Sequence, residues 1–191
     1  YAVYAATNCG GQQIVTGNTT LLQNAVNTAT TYNIYLTSIG ANTQIENNTL
    51  TFGTWSAITS GPIYCFYTTN SGGVTGHTAY VRNNHIDNQT LPATTGTFYG
   101  FYGGGTTTVA TNSTVRISQN TFTNNTKTNS GTLYVVFQAS AVNTIDSANV
   151  ISNLTITNNS ASGNSSVYLI YGSNSTPTSA KFLDNSISNI N

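Results

Sequence analysis

Four carboxylates, Glu46, Asp87, Asp146 and Asp184, and two imidazoles, His77 and His85, are the groups in this 191-residue chain suited to acid–base chemistry. Hydrolysis of a glycosidic bond needs two carboxyls about 5 to 9.5 Å apart. Glu46 falls in the first of a series of repeats and Asp87 just after the turn of the next. Asp146 is expected in a loop and Asp184 in the turn of the last repeat, so no two share a repeat position. His85 and Asp87 are close in sequence, but no recognisable motif supplies a serine or cysteine nucleophile, and His77 stands alone beside a glycine-rich stretch. No Cys/His spacing suggests a metal site. The sequence therefore points away from an enzyme, with no catalytic residue, metal or cofactor expected.

The residues that do ask for a role are aromatic. Pro62 to Tyr67 (PIYCFY) aligns with Thr97 to Tyr102 (TFYGFY), Thr132 to Phe137 (TLYVVF) and Ser166 to Tyr171 (SVYLIY). Tyr64, Tyr99, Tyr134 and Tyr168 fall in one column, spaced by 35, 35 and 34 residues. Strict alternation puts Tyr67, Tyr102, Phe137 and Tyr171 on one face with Ile63 and its equivalents. The other face then carries the Tyr64 column with Phe66, Phe101, Val136 and Ile170. A strand that is apolar on both faces needs cover on both. The cover is the chain itself, another subunit, or sugar rings stacked on the tyrosines. Tyr64, Tyr99, Tyr134, Tyr168, Phe66 and Phe101 are thus the candidate interface or glycan-stacking residues.

These strands recur with a second register. Ile45 and Leu50 flank Asn47-Asn48, Val81 and Ile86 flank Asn83-Asn84, and Ile117 and Phe122 flank Gln119-Asn120. Ile151 and Ile156 flank Asn153-Leu154, and Phe182 and Ile187 flank Asp184-Asn185. The second apolar residues are spaced by 36, 36, 34 and 31, the signature of a repeat architecture. Asn tolerates the left-handed backbone that a sharp turn needs. Stacked coils would place Asn48, Asn84, Asn120 and Asn185 in one hydrogen-bonded ladder, interrupted at Leu154, beside a second polar column of Asn47, Asn83, Gln119, Asn153 and Asp184. Glu46 and Arg82 occupy equivalent outward positions and should form an axial ion pair of about 0 to 1 kcal/mol. Asn-Gly, the strongest hairpin signal, is absent, which argues for parallel coils. Ahead of the repeats, Tyr1 to Thr7 reads as a strand. Thr19 to Thr31, with Leu21, Leu22, Ala25, Val26 and Ala29 at helical spacing, reads as a helix capped by Asn18 or Thr19, and Tyr32 to Thr37 as a strand.

The I-x-x-N-x-I cassette, as in ISQNTF and VRNNHI, resembles the right-handed parallel β-helix proteins of the pectate-lyase-like superfamily. The leading TTLLQNAVNTATTYNIYLT is similar to the capping helix and first strand of many such proteins. The resemblance implies an all-β, right-handed parallel β-helix of about five coils of 31–36 residues with an N-terminal capping helix. It covers roughly residues 12–191 of one expected domain, 1–191, with 1–37 as leading strand and cap and 38–191 as coils. It implies no single function, because this fold carries lyases, hydrolases, adhesins and surface proteins.

Composition narrows the classes. Charged residues make up 4% and net charge is zero, which favours association. There is no basic patch for nucleic acid and no apolar run long enough to enter a bilayer. Hydrophobic residues at 38% in periodic columns can fill a core, which disordered chains cannot do. Cys9 and Cys65 suit one disulfide in an oxidising setting. Nine sequons, at Asn18, Asn47, Asn88, Asn112, Asn124, Asn153, Asn158, Asn164 and Asn174, permit N-glycosylation without indicating it, since composition alone produces about as many. With no second helix or polar cap after Ile187, the last coil should meet another subunit. The expectation is an extracellular, cell-surface or secreted structural subunit that partners itself head to tail in a filament or layer. The alternative is a glycan-binding adhesive module, and a polysaccharide-degrading enzyme comes third.

Overall fold

A computed structural model describes residues 2–5, 12–23, 28–38, 42–55, 60–70, 76–92, 95–105, 113–128, 131–139, 141, 143–157, 166–173 and 179–191. The chain is an all-β parallel solenoid. Its strands in chain order begin with β1 (Val3–Ala5), β2 (Gln13–Thr16) and β3 (Thr19–Leu22), then β4 (Thr31–Ser38), β5 (Thr43–Glu46) and β6 (Thr49–Phe52). Next come β7 (Ile63–Asn70), β8 (Thr78–Arg82) and β9 (His85–Asp87), then β10 (Phe98–Gly105), β11 (Thr114–Ser118), β12 (Thr121–Thr123) and β13 (Thr126–Lys127). The last are β14 (Leu133–Ala139), β15 (Asn143–Ser147), β16 (Val150–Ile156), β17 (Val167–Ser173), β18 (Ser179–Leu183) and β19 (Ser186–Ile190). Sheet A stacks β1-β4-β7-β10-β14-β17, sheet B stacks β2-β5-β8-β11-β15-β18, and sheet C runs from β3 through β6, β9, β12 and β16, with β13 and β19 also paired to β16.

Sheet A holds six strands where about five coils were expected, because the leader is itself a coil. Thr19–Leu22 is not helical: it is β3, paired in parallel with Thr49–Phe52 of β6. Leu21 and Leu22 fit helical spacing, but Thr19-Thr20 begin a stretch that is β-prone, and the neighbouring strand supplies ladder bonds that an isolated helix would lack. Residues 24–27 of the expected helix lie outside the described residues. No helix is present among the described residues, so none there is long and apolar enough to cross a membrane.

The core is a set of inward columns. Ile45, Val81 and Ile117 stack along sheet B, and Leu50, Ile86, Phe122 and Ile151 along sheet C, each at most 1% exposed. Their pairing is direct: Ile45 registers with Val81, Val81 with Ile117, and Phe122 with Ile151. Fully burying such a side chain contributes about 1.5–3 kcal/mol.

Between the B and C strands the chain turns within two residues, the first of which takes the left-handed backbone. Asn47, Asn83, Gln119, Ala148 and Asp184 adopt φ of 57°, 52°, 58°, 53° and 52°. The following residue turns its amide inward. Asn18, Asn48, Asn84, Asn120, Asn149 and Asn185 form a continuous ladder, each Nδ2 donating to the next Oδ1 at 3.0, 2.9, 3.1, 3.0 and 2.9 Å. Each Oδ1 also accepts the backbone N–H of the preceding ladder residue. Nδ2 donates a second bond to a strand carbonyl of the preceding coil, as from Asn120 to Val81 at 2.9 Å.

This corrects the fourth repeat. Leu154 does not interrupt the ladder, because Asn149 fills the place; Asn120 to Asn149 is a step of 29 residues, whereas Asn84 to Asn120 is 36. Ile151, read as the first apolar residue of that cassette, is the second. Asn153 belongs instead to an exposed ladder at the next turn, where Asn124 donates to Asn88, Asn153 to Asn124 and Asn189 to Asn153.

Asn120→Ala would take the Oδ1 acceptor from both the buried Asn84 N–H and an Asn84 Nδ2 hydrogen, at about 1–3 kcal/mol each. Its unfolding free energy should fall by at least about 2 kcal/mol, while Asn124→Ala in the exposed ladder should cost under about 1 kcal/mol. Chemical denaturation of the two variants checks this ordering; equal losses would mean the buried ladder is not special.

Candidate functional site

The tyrosine strand is the first candidate, and its geometry differs from simple alternation. In β7, Tyr64 and Tyr67 both point outward while Cys65 and Phe66 are both buried. The paired registers run Tyr64 to Tyr99 and Phe66 to Phe101, passing over Cys65 and Gly100. The same residue is passed over between β4 and β7, where it is Asn33, and between β14 and β17, where it is Val135 and Leu169. A Cβ on Gly100 would come within 2.8 Å of the Val135 carbonyl oxygen, so the step itself is tightly packed. One extra inward residue per strand rotates the Tyr67 column onto the outer face and turns the Phe66 column into the core. Phe66 and Phe101, at 0% and 1% exposure, are therefore core residues and not part of a surface.

The outer face carries two aromatic columns. Tyr32, Tyr64, Tyr99, Tyr134 and Tyr168 stack at 4.9, 4.4, 5.2 and 4.7 Å between ring centroids. Tyr4, Tyr35, Tyr67, Tyr102, Phe137 and Tyr171 stack at 5.1, 4.8, 4.5, 5.0 and 5.3 Å. Neighbours in the two columns meet edge to face, Tyr64 and Tyr67 at 5.1 Å and 82°. Ring faces thus cover one another, each pair worth about 0.5–1.5 kcal/mol beyond its burial. Burial, followed by the neighbouring phenols, pushes the ionisation of Tyr64, Tyr67 and Tyr102 up, Tyr102 to about 12. Tyr99 and Tyr134 are raised by burial as well. A phenol whose pKa is raised by folding withdraws stability as pH climbs past its ordinary value of 10. Alkaline titration followed by ultraviolet absorbance should therefore show these tyrosines ionising together with unfolding; early, independent ionisation at the ordinary value would show the columns are open.

The charged candidates are held in structure. Arg82 donates through Nε to Glu46 Oε2, the expected axial pair, and lies over the Tyr80 ring at 5.1 Å. A hollow of about 450 Å³ there is lined by Glu46, Asn47, Arg82, Asn83 and Gln119. Asp87 accepts from Thr121 Oγ1 at 2.5 Å and from the backbone and hydroxyl of Thr123, both at 2.8 Å. His85 Nδ1 meets the same Thr121 hydroxyl at 2.8 Å. Because that hydroxyl gives its proton to Asp87, it accepts from His85, the reverse of what an activated nucleophile needs. His77 is buried, with Nδ1 unpartnered. Asp184 is exposed in its turn. No group of three metal-ligating side chains occurs among the described residues.

Asp146 is the correction among the acids. It lies on β15, fully buried, in the column of Ile117 and Phe182, because the shorter fourth coil moves it from the expected loop onto the strand. Gln138 Nε2 donates to Oδ1 at 2.7 Å, and Oδ2 has no partner. Burial raises its pKa to about 8, from an ordinary 3.8, against the opposing pull of the Gln138 bond. The folded state thus holds this proton more tightly than the unfolded chain, so this carboxyl's contribution to stability is greatest in acid and declines as pH rises from about 4 toward 8. Asp146→Asn should unfold at higher denaturant than the parent at neutral pH, with the gap closing below about pH 4. A gap that does not change with pH would show that Asp146 is ionised in the fold.

Cys65 is a free, fully buried thiol whose ionisation burial disfavours. Cys9, its expected disulfide partner, lies outside the described residues. The sequon residues Asn18, Asn47, Asn88, Asn124 and Asn153 are exposed at turns; Asn112, Asn158, Asn164 and Asn174 lie outside the described residues.

One feature was not anticipated. Beyond β6 and β9 a cleft of about 550 Å³ opens between Phe52–Trp55 and Asn88–Pro92, with Thr128 on its far side. The β6–β9 register comprises only Thr49 with His85. Past it the strands part, and the Gln89 side chain bridges the gap, its Oε1 accepting from Phe52 N at 2.8 Å. The one clue in the sequence is Trp55, the chain's single tryptophan. Comparison with protein-family models, curated proteins and solved structures finds no match to this chain.

Proposed function

We propose that the chain is an extracellular structural subunit whose solenoid, of the right-handed kind its cassettes resemble in the pectate-lyase-like superfamily, joins end to end with further copies in a filament or surface layer. The observation that carries this is the polarity of the asparagine ladder. Every ladder residue aims its backbone N–H and one Nδ2 hydrogen at the Oδ1 of the next coil. Asn185 has no such acceptor among the described residues, and the Oδ1 of Asn18 accepts no bond there. The first and last described coils are complementary to each other and not to themselves, so a contact between copies through them is head to tail and not a symmetric dimer.

The side chains agree. On the coil of β17, β18 and β19, Phe182 and Ile187 occupy core columns yet are 53% and 47% exposed. Strand edges and apolar columns left open together template another coil. The aromatic face supports a structural role over a sugar platform, since its ring faces are already stacked on one another. With few exposed charges, the assembly should resist changes of salt.

Electron microscopy with light scattering tests this. Six strand spacings of about 4.8 Å give an axial repeat of about 29 Å. Phe182→Lys with Ile187→Lys should leave the circular dichroism β-signal intact and abolish the filaments. A parent chain that stays monomeric at every concentration would sink the proposal.

A further inference from the structure

We infer that the cleft beside Trp55 is a binding site for a neutral oligosaccharide. This is independent of assembly, because the cleft opens on the side of the solenoid, at the exits of β6 and β9, away from either end. Its volume of about 550 Å³ falls in the range of small-ligand sites, about 300–1,000 Å³. The lining pairs an indole and Phe52 with the uncharged polar groups of Asn88, Gln89, Thr90 and Thr128. No lining residue carries a charge, which disfavours phosphates, acidic sugars and charged peptides, whose desolvation would go uncompensated. An aromatic ring flanked by amides and hydroxyls suits a pyranose, which offers an apolar C–H face and a rim of hydroxyls.

Two further observations support a polar ligand over an aliphatic one. Trp55 Nε1 is shielded from solvent, so the indole contributes its ring rather than its N–H to the cleft, beside the polar rim of Asn88, Thr90 and Thr128. The cleft is also held open by hydrogen bonds: Gln89 spans from the Phe52 N–H to the Asp87 carbonyl, and its own N–H donates to Asn125 Oδ1 at 2.9 Å. A preformed site of this kind needs little ordering when a ligand enters.

The single tryptophan makes the test direct. Trp55 fluorescence would be titrated with maltotriose, cellotriose, mannotriose and diacetylchitobiose, alongside trigalacturonic acid and hexanol as probes of other chemistry. The expected result is a saturable shift with at least one neutral sugar and none with the acid or the alcohol. Calorimetry should show affinity for that sugar falling at least five-fold in Trp55→Phe and in Thr90→Val, and unchanged in Tyr99→Ala. Silence from all four neutral sugars overturns the inference. So does a response confined to the acid or the alcohol, or binding that survives Trp55→Phe but is lost in Tyr99→Ala.

Discussion

The asparagine ladder is the constraint on which the rest of the structure depends. A tight turn between two buried strands strands one backbone N–H and one carbonyl per coil where water cannot reach them. An unmet buried polar group costs about 1–3 kcal/mol, and six coils would repeat that cost at every turn. Asparagine answers it because its amide is both donor and acceptor. Oδ1 takes the N–H of the coil on one side, and Nδ2 gives to a carbonyl of that same coil and to the amide on the other side. Aspartate lacks the donor and glutamine is a methylene too long for the same reach. Stacking follows from the chemistry, since no Asn in the column is fully bonded unless a coil lies on either side.

The aromatic face uses the same geometry with different forces. Strands in a parallel stack sit about 4.8 Å apart, close to the separation at which aromatic rings stack with offset. A tyrosine at one register position in every coil therefore meets the next at 4.4 to 5.2 Å without adjustment. The extra inward residue at Cys65, Gly100 and Val135 brings the second column beside the first, so edges of one meet faces of the other. Eleven rings, ten of them tyrosines, form one surface in which each ring face inside a column is stacked on the next. An apolar outer face is thus covered by itself, a solution that strict alternation of sides hides.

Much of this was legible in the sequence, and the gaps have physical causes. The Tyr64, Tyr99, Tyr134 and Tyr168 register was readable because four consecutive coils keep it within one residue. The Glu46–Arg82 pair was readable for the same reason. The fourth ladder position was misplaced because its coil is shorter, and both Asn149-Val150-Ile151 and Asn153-Leu154-Thr155 offer an asparagine near an isoleucine. Choosing wrongly there moved Asp146 from the core into a loop. The Leu21-Leu22 stretch failed differently: helical spacing over a few residues is weak evidence when a neighbouring strand can take the same residues into a ladder. The Trp55 cleft had no periodic signal at all, since it exists where two coils stop repeating each other.

Asp146 shows what that regularity tolerates. Its column elsewhere is Val15, Ile45, Val81 and Ile117, and a carboxyl with one unmatched oxygen is a poor substitute for any of them. Gln138, which follows Thr68 and Gly103 in its own column, offsets part of the loss by donating to Oδ1 at 2.7 Å. The pair therefore behaves as one polar insertion confined to a single coil. In a solenoid each coil contacts only its neighbours, so the distortion is confined to one coil although its cost counts in the stability of the whole. The coil that carries it lies directly beneath the one whose Phe182 and Ile187 are open to solvent.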